Sequence, residues 1–283
     1  MEIGIFAKTF QRPTLDAVLD AVAEHGLRAV QFNMSCTGLE SMPEAIEPEL
    51  RQRIRDETGR RGIGIAALSG TFNMIHPDHE KRQAGLRRLG VLTEAAADIG
   101  TSVITLSTGT RDPENMWRSH PENSSPEAWR ELLESMASAV EIAAEEDVTL
   151  AFEPEVSNVV DSAIKGRRLL DEVRSPHLKV VIDPANLFHA GELPHMRQIL
   201  KEAFDLLGSD VVIAHAKDLS RDGEAGQDAA GTGVLDYDAY LSLLDACGFD
   251  GPWILHGLDE SQVDRAVAFL RNKLEESERH RRS

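Results

Sequence analysis

The chain has 283 residues, enough for one large domain with a full core. Its 48 acidic against 30 basic residues leave a formal net charge of -18, which repels phosphate backbones and anionic lipid headgroups unless a local basic patch overrides it and makes nucleic acid an unfavoured partner. Two cysteines, Cys36 and Cys247, lie in no CxxC spacing and exclude a disulfide scaffold or a cysteine zinc site. No stretch approaches the ~20 apolar residues of a membrane span, and the opening MEIGIFAKTF has no basic segment before a long apolar run, so the expectation is a cytoplasmic protein.

Strand and helix patterns alternate from the start. Residues 3–7 read as a strand and 14–25 as a helix closed by Gly26; residues 27–32, 47–61 and 63–68 follow as strand, helix and strand. The glycines of GIGIAALSG flank that third strand and lack the G-x-G-x-x-G order of a nucleotide loop. A helix over 79–99 places Leu86, Leu89, Leu92, Ala96 and Ile99 near one face, and strand four covers 103–106. The loop STGTRDPENMWRSHPENSSPE, rich in turn formers, carries Arg111, Trp117, Arg118 and His120 before a helix over 126–146. Strand five ends at Glu153, a helix covers 159–173, strand six ends at Asp183, and a helix covers 194–207. Strand seven ends at His215, and a glycine-containing loop leads to Asp236 as N-cap of a helix reaching Cys247. Residues 253–255 form strand eight, with His256 at its end, and a helix over 261–278 precedes a basic tail expected to fray near 279–283. Eight strand–helix units without a linker predict a single-domain α/β fold, a (β/α)8 TIM barrel over residues 1–283. An open doubly wound sheet is the alternative, but polar residues fall at the ends of many strands and not at one switch point.

Those polar residues suggest chemistry. In a parallel barrel the ends of strands five, six and seven share one mouth, so Glu153, Asp183 and His215 converge there, and His256 on strand eight is the natural fourth member. Two carboxylates and imidazole suit one divalent ion, Mn²⁺, Co²⁺, Mg²⁺ or Zn²⁺, with positions left for substrate oxygens. Each residue alone has a plainer explanation, since an acid after a strand caps turns and a histidine can be hydrogen-bonded in a core. Glu153 is the candidate base as well as ligand, His256 and Lys217 are candidate acid–base or polarising groups, and Asp218 is a candidate orienter of Lys217 or His215. Asn73, His76, Arg111, Asn186 and His189 follow strands three, four and six and are candidate substrate contacts.

FEPE around Glu153, VIDPANLF around Asp183, IAHAKD around His215, GTGVLDY after Gly231 and GPWILHGL around His256 make the whole chain resemble the sugar-phosphate isomerase/epimerase family of xylose-isomerase-like TIM barrels. The resemblance implies a barrel holding a divalent metal through Glu153, Asp183 and His215, acting on a small sugar-like molecule, with a homo-oligomer as a possible assembly. The implied activity is that of a metal-dependent isomerase or epimerase of a sugar, keto-sugar or cyclitol derivative, removing a proton next to a carbonyl held at the ion. Two positions depart from the family pattern: His256 stands where a second glutamate is usual, and Asn186 where related epimerases carry a substrate-binding histidine. A lyase or dehydratase in the same site and a non-catalytic sugar-binding barrel are the alternatives. An apurinic endonuclease of the same barrel type needs a larger histidine and glutamate set and is opposed by the acidic charge.

Overall fold

The computed structural model describes residues 1–282, with side chains to Arg279. Among the described residues nine strands form in chain order: β1 (Glu2–Phe6), β2 (Ala29–Phe32), β3 (Gly64–Ser69), β4 (Val103–Ser107), β5 (Thr149–Glu153), β6 (Leu178–Ile182), β7 (Val211–Asp218), β8 (Asp228–Ala229) and β9 (Pro252–Leu255). Eight of them close a parallel barrel. Each of β1 to β6 pairs with its successor, β7 pairs with β6 and β9, and β9 returns to β1. The two-residue β8 lies antiparallel on the end of β7.

Helices α1 (Leu15–Glu24), α2 (Pro48–Arg60), α3 (His79–Ile99), α4 (Pro126–Glu145), α5 (Ala163–Val173), α6 (Met196–Leu207), α7 (Tyr237–Ala246) and α8 (Val263–Arg282) surround the barrel. Their starts are encoded locally: the side chains of Thr14, Asp78, Ser125, Ser162 and Asp236 each accept a backbone N–H of the first turn. Gly100 ends α3 at a φ of 109°, a left-handed conformation that an L side chain resists.

Two cores hold the fold. The larger lies between sheet and helices and takes in Leu19, Leu89, Leu132, Leu169, Leu200, Leu244 and Leu270. The smaller fills the barrel with Phe6, Ala67, Ala151, Val181, Ile213 and Ile254. Strand side chains alternate with a period of two, so the position two beyond an interior residue is interior again. Ala151 is therefore followed by Glu153, Val181 by Asp183, Ile213 by His215 and Ile254 by His256, each one layer higher, where the packed interior gives way to the mouth.

Three boundaries differ from expectation by three residues or more. Strand β7 runs three residues past His215, to Asp218, because pairing with β8 extends it. Helix α5 begins at Ala163 and not at 159, since Val159 and Val160 are tied to Gly109 and Glu155 by backbone hydrogen bonds and Ser162 supplies the cap. The last helix continues to Arg282. Ser283 and the side chains of 280–282, within the tail expected to fray at 279–283, lie outside the described residues. Among the described residues no helix is long and apolar enough to cross a membrane.

Candidate metal centre and active site

The C-terminal ends of the strands surround a cavity of about 620 Å³, lined by Gln31, Ser69, Thr105, Glu153, Lys217 and His256 among others. Asp183 and His215 do not line it; essentially inaccessible to solvent, they lie behind the lining residues Glu153, Lys217 and His256, to which both are close. Asp183 caps the short turn after β6: its Oδ1 accepts the Ala185 N–H at 3.0 Å, which leaves Oδ2 for the site. His215 Nδ1 lies 3.3 Å from Glu153 Oε2 and 3.7 Å from Asp183 Oδ2, and His256 Nδ1 lies 3.9 Å from the same Asp183 oxygen. Asp183, His215 and His256 each offer a ligand atom within 4.8 Å of the others.

Asp183 Oδ2, His215 Nδ1 and His256 Nδ1 are all buried without a hydrogen-bond partner. Lys217 Nζ, 3.3 Å from Asp183 Oδ2, forms an ion pair with it but not a hydrogen bond. A buried polar atom without a partner costs about 1–3 kcal/mol, and three facing a common point match the donor set of a divalent ion. Asp183, His215 and His256, joined by Glu153, are thus the residues that fit a metal.

Neighbouring side chains aim these donors. On β2, Gln31 Oε1 accepts the His215 Nε2–H at 2.9 Å, while its own amide donates to Thr105 Oγ1 at 2.9 Å and Ser69 Oγ at 3.3 Å. In the neutral imidazole this arrangement leaves the lone pair on His215 Nδ1. Asn186 donates to Glu153 Oε1 at 2.5 Å and accepts from Lys217 Nζ at 2.8 Å, joining β5 to β7. Tyr240 and Tyr237 hydroxyls donate to the backbone carbonyls of His215 and Lys217. The His256 ring stacks on Phe6, with centroids 4.3 Å apart.

The metal-free electrostatics follow from this packing. Burial opposes a charged His215, but the carboxylates of Glu153 and Asp183 together outweigh it and raise the ring to about 9. Burial, aided by the Lys217 and His215 charges, pushes His256 down to about 4 despite Asp183. Burial works to raise Asp183, yet Lys217, His215 and His256 hold it well below the usual carboxylate range. Glu153 is also lowered, because His215 overcomes its burial. Glu155 goes the other way: burial, then repulsion from Glu153, pushes it up to about 8.

Glu153, Lys217 and His256 line the cavity as expected from their strand positions. Asn186 is buried and spans Glu153 and Lys217. The other candidate substrate contacts serve loops in this structure. Asn73 bonds the backbone of Thr110 in both directions, His76 accepts the Asp78 N–H and reaches the Pro113 carbonyl, and Arg111 pairs with Glu131 on α4 at 2.6 Å. His189 lines a small separate cavity of about 100 Å³ between α5 and α6. Asp218 does not orient Lys217 or His215. Its carboxylate accepts the backbone N–H groups of Leu219, Gly231 and Leu235 and shapes the loop after β7.

Gln31 and Glu155 were not anticipated, although both left a trace. Gln31 interrupts the otherwise apolar AVQF of β2, and Glu155 repeats the spacing of two from Glu153 across Pro154. Met116 and Trp117 also reach the cavity, on a loop braced by Asp112, whose carboxylate binds Arg118 and caps the N–H groups of Glu114 and Asn115.

Solved structures share this architecture. A xylose isomerase domain protein from Planctomyces limnophilus is 21% identical, with 96% of each chain covered and a TM-score of 0.74. The 3-keto-D-glucoside 4-epimerase of E. coli is 18% identical over 96% of this chain and 99% of that one, at a TM-score of 0.72. A protein called IOLI, solved with a zinc atom, is 18% identical over 97% of this chain and 96% of that one, at 0.71. At such identities the likeness is one of fold. No curated protein matches the sequence. The model of the xylose isomerase-like TIM barrel family matches residues 19–273, nearly the whole barrel, and the chain belongs to that family.

Proposed function

We propose that the chain is a divalent-metal-dependent isomerase or epimerase acting on a sugar, keto-sugar or cyclitol derivative. The observation that carries this reading is the convergence of three partnerless buried polar atoms, on Asp183, His215 and His256, next to a cavity lined by hydroxyl, amide and carboxylate groups. When bound, the ion supplies Lewis-acid polarisation of a substrate carbonyl. Glu153, held at one oxygen by Asn186, takes the proton from the carbon next to that carbonyl, and the electron pair left on carbon moves to the carbonyl oxygen. The Lys217 ammonium, fixed by Asn186 and Asp183, places positive charge beside the cavity where that oxygen gains negative charge. Delivering a proton to the same carbon from the other face gives an epimer; delivering it to the former carbonyl carbon, while the hydroxyl proton on the first carbon passes to the former carbonyl oxygen, gives an isomer. Glu155 and Lys217 are the further protic groups on the cavity wall that can supply it. The neighbouring 3-keto-D-glucoside 4-epimerase agrees with keto-sugar chemistry.

Incubation of keto-sugars with the metal-loaded protein in D₂O tests the reading. The expected result is deuterium at the carbon next to the carbonyl together with an isomer, both lost in Glu153→Gln. Normal turnover by Glu153→Gln would sink the assignment of the base. His256, where a second carboxylate is usual, favours a second reading as a lyase, in which the same proton leaves and a β-substituent departs. An unsaturated product without isomer would establish that alternative.

A further inference from the structure

The mouth of the barrel gathers nitrogen as well as oxygen. One carboxylate oxygen from Asp183 and two imidazole nitrogens, from His215 and His256, face one another without hydrogen bonds, and Glu153 Oε2 approaches His215 Nδ1 at 3.3 Å. The two carboxylates contribute two negative charges, and Lys217, 3.3 Å from Asp183 Oδ2, offsets one of them. Hard ions such as Mg²⁺ and Ca²⁺ are held by oxygen ligands, chiefly carboxylates, whereas imidazole suits Zn²⁺ and its neighbours late in the first transition series. A carboxylate at position 256 would add both a charge and an oxygen; the imidazole adds neither.

We infer that His256 Nδ1 is a metal ligand that makes this centre selective for a late transition ion, Zn²⁺ or Co²⁺, over Mg²⁺, Ca²⁺ and Mn²⁺. The surroundings of the ring support the assignment. It lies nearly parallel on Phe6, 17° between planes, and edge-on to His215 at 5.3 Å, so its orientation is set by packing from β1 and β7. A histidine with a purely structural task donates or accepts at its buried nitrogen, and this Nδ1 does neither. The side chain is 31% exposed, on the cavity side where an ion would enter.

The inference rests on Asp183 and His215 as ligands in the proposed function, but it is tested without any sugar. Failure to find a substrate therefore does not bear on it, and a different metal preference leaves the carbonyl chemistry open. Chelator-stripped protein is titrated calorimetrically with Mg²⁺, Mn²⁺ and Co²⁺, and with Zn²⁺ against a competing chelator, for wild type, His256→Glu and His256→Gln. Circular dichroism of each variant reports folding. Wild type is expected to prefer Co²⁺ over Mn²⁺ by roughly 100-fold, and His256→Glu to shrink that ratio by about tenfold or more. His256→Gln, which keeps a neutral polar side chain, is expected to lose about tenfold or more in Co²⁺ affinity and to shift the visible Co²⁺ absorption. An unchanged Co²⁺/Mn²⁺ ratio in His256→Glu, an unchanged Co²⁺ spectrum in His256→Gln, or wild-type binding of Mg²⁺ as tight as Zn²⁺ would each overturn it.

Discussion

Replacing Gln31 by leucine removes the one side chain that fixes which nitrogen of His215 faces the site. The amide is 2% exposed and makes three hydrogen bonds, accepting from His215 Nε2 and donating to Thr105 and Ser69. Leucine is similar in volume and opens little cavity, so the loss is polar. The His215 N–H is left buried without an acceptor, a cost of about 1–3 kcal/mol. Thr105 keeps an outlet in the Leu68 carbonyl, 3.5 Å away, and the leucine gains some apolar burial, which holds the net near the lower half of that range. The second effect falls on the proposed metal affinity. Losing the partner that orients a ligating imidazole typically lowers affinity by about 10–100-fold. Urea unfolding of the stripped protein measures the first quantity and calorimetric Zn²⁺ titration the second. Gln31→Glu, which retains an acceptor for the imidazole, should recover most of the affinity. If Gln31→Leu unfolds at the wild-type urea concentration and binds Zn²⁺ as tightly as wild type, the Gln31–His215 bond does not orient the ligand.

Other expectations are simpler to check. Burial pushes the Cys36 thiol from 9.0 up to about 11. The folded form therefore keeps its proton between pH 9 and 11, where the unfolded thiol has lost it, and this group's contribution to stability declines as pH rises across that window. At pH 8 a thiol reagent should modify the half-buried Cys247 first and reach Cys36 only in denaturant; equal labelling rates in native protein would contradict the packing around Cys36. Gly4 on β1 has no room for a side chain: a Cβ there would lie 2.6 Å from both the Ala29 carbonyl oxygen and Ile254 Cδ1. Gly4→Ala should lower stability by about 1–3 kcal/mol in thermal or urea melts, and a wild-type midpoint would refute that close approach.

The alternation of strands and helices, and the gathering of polar residues at strand ends, were legible because both follow from local rules. A strand repeats every two residues, and a parallel βα repeat brings every strand end to one face, so reading Glu153, Asp183, His215 and His256 together required no knowledge of distant contacts. The same reasoning placed Asn73, His76 and Arg111 after their strands but not where their side chains go, since loop side chains choose among backbone partners that periodicity does not specify.

By itself the sequence determined the barrel, its capped helices and the set of donors at its mouth, through spacing that each segment carries alone. Tertiary structure alone decided which nitrogen of His215 is free, that Asn186 joins Glu153 to Lys217, and that Asp218 serves a loop. Those outcomes depend on residues far apart in the chain, as in the hydrogen bond between Gln31 and His215, 184 positions apart, and such pairs meet only when the sheet closes on itself.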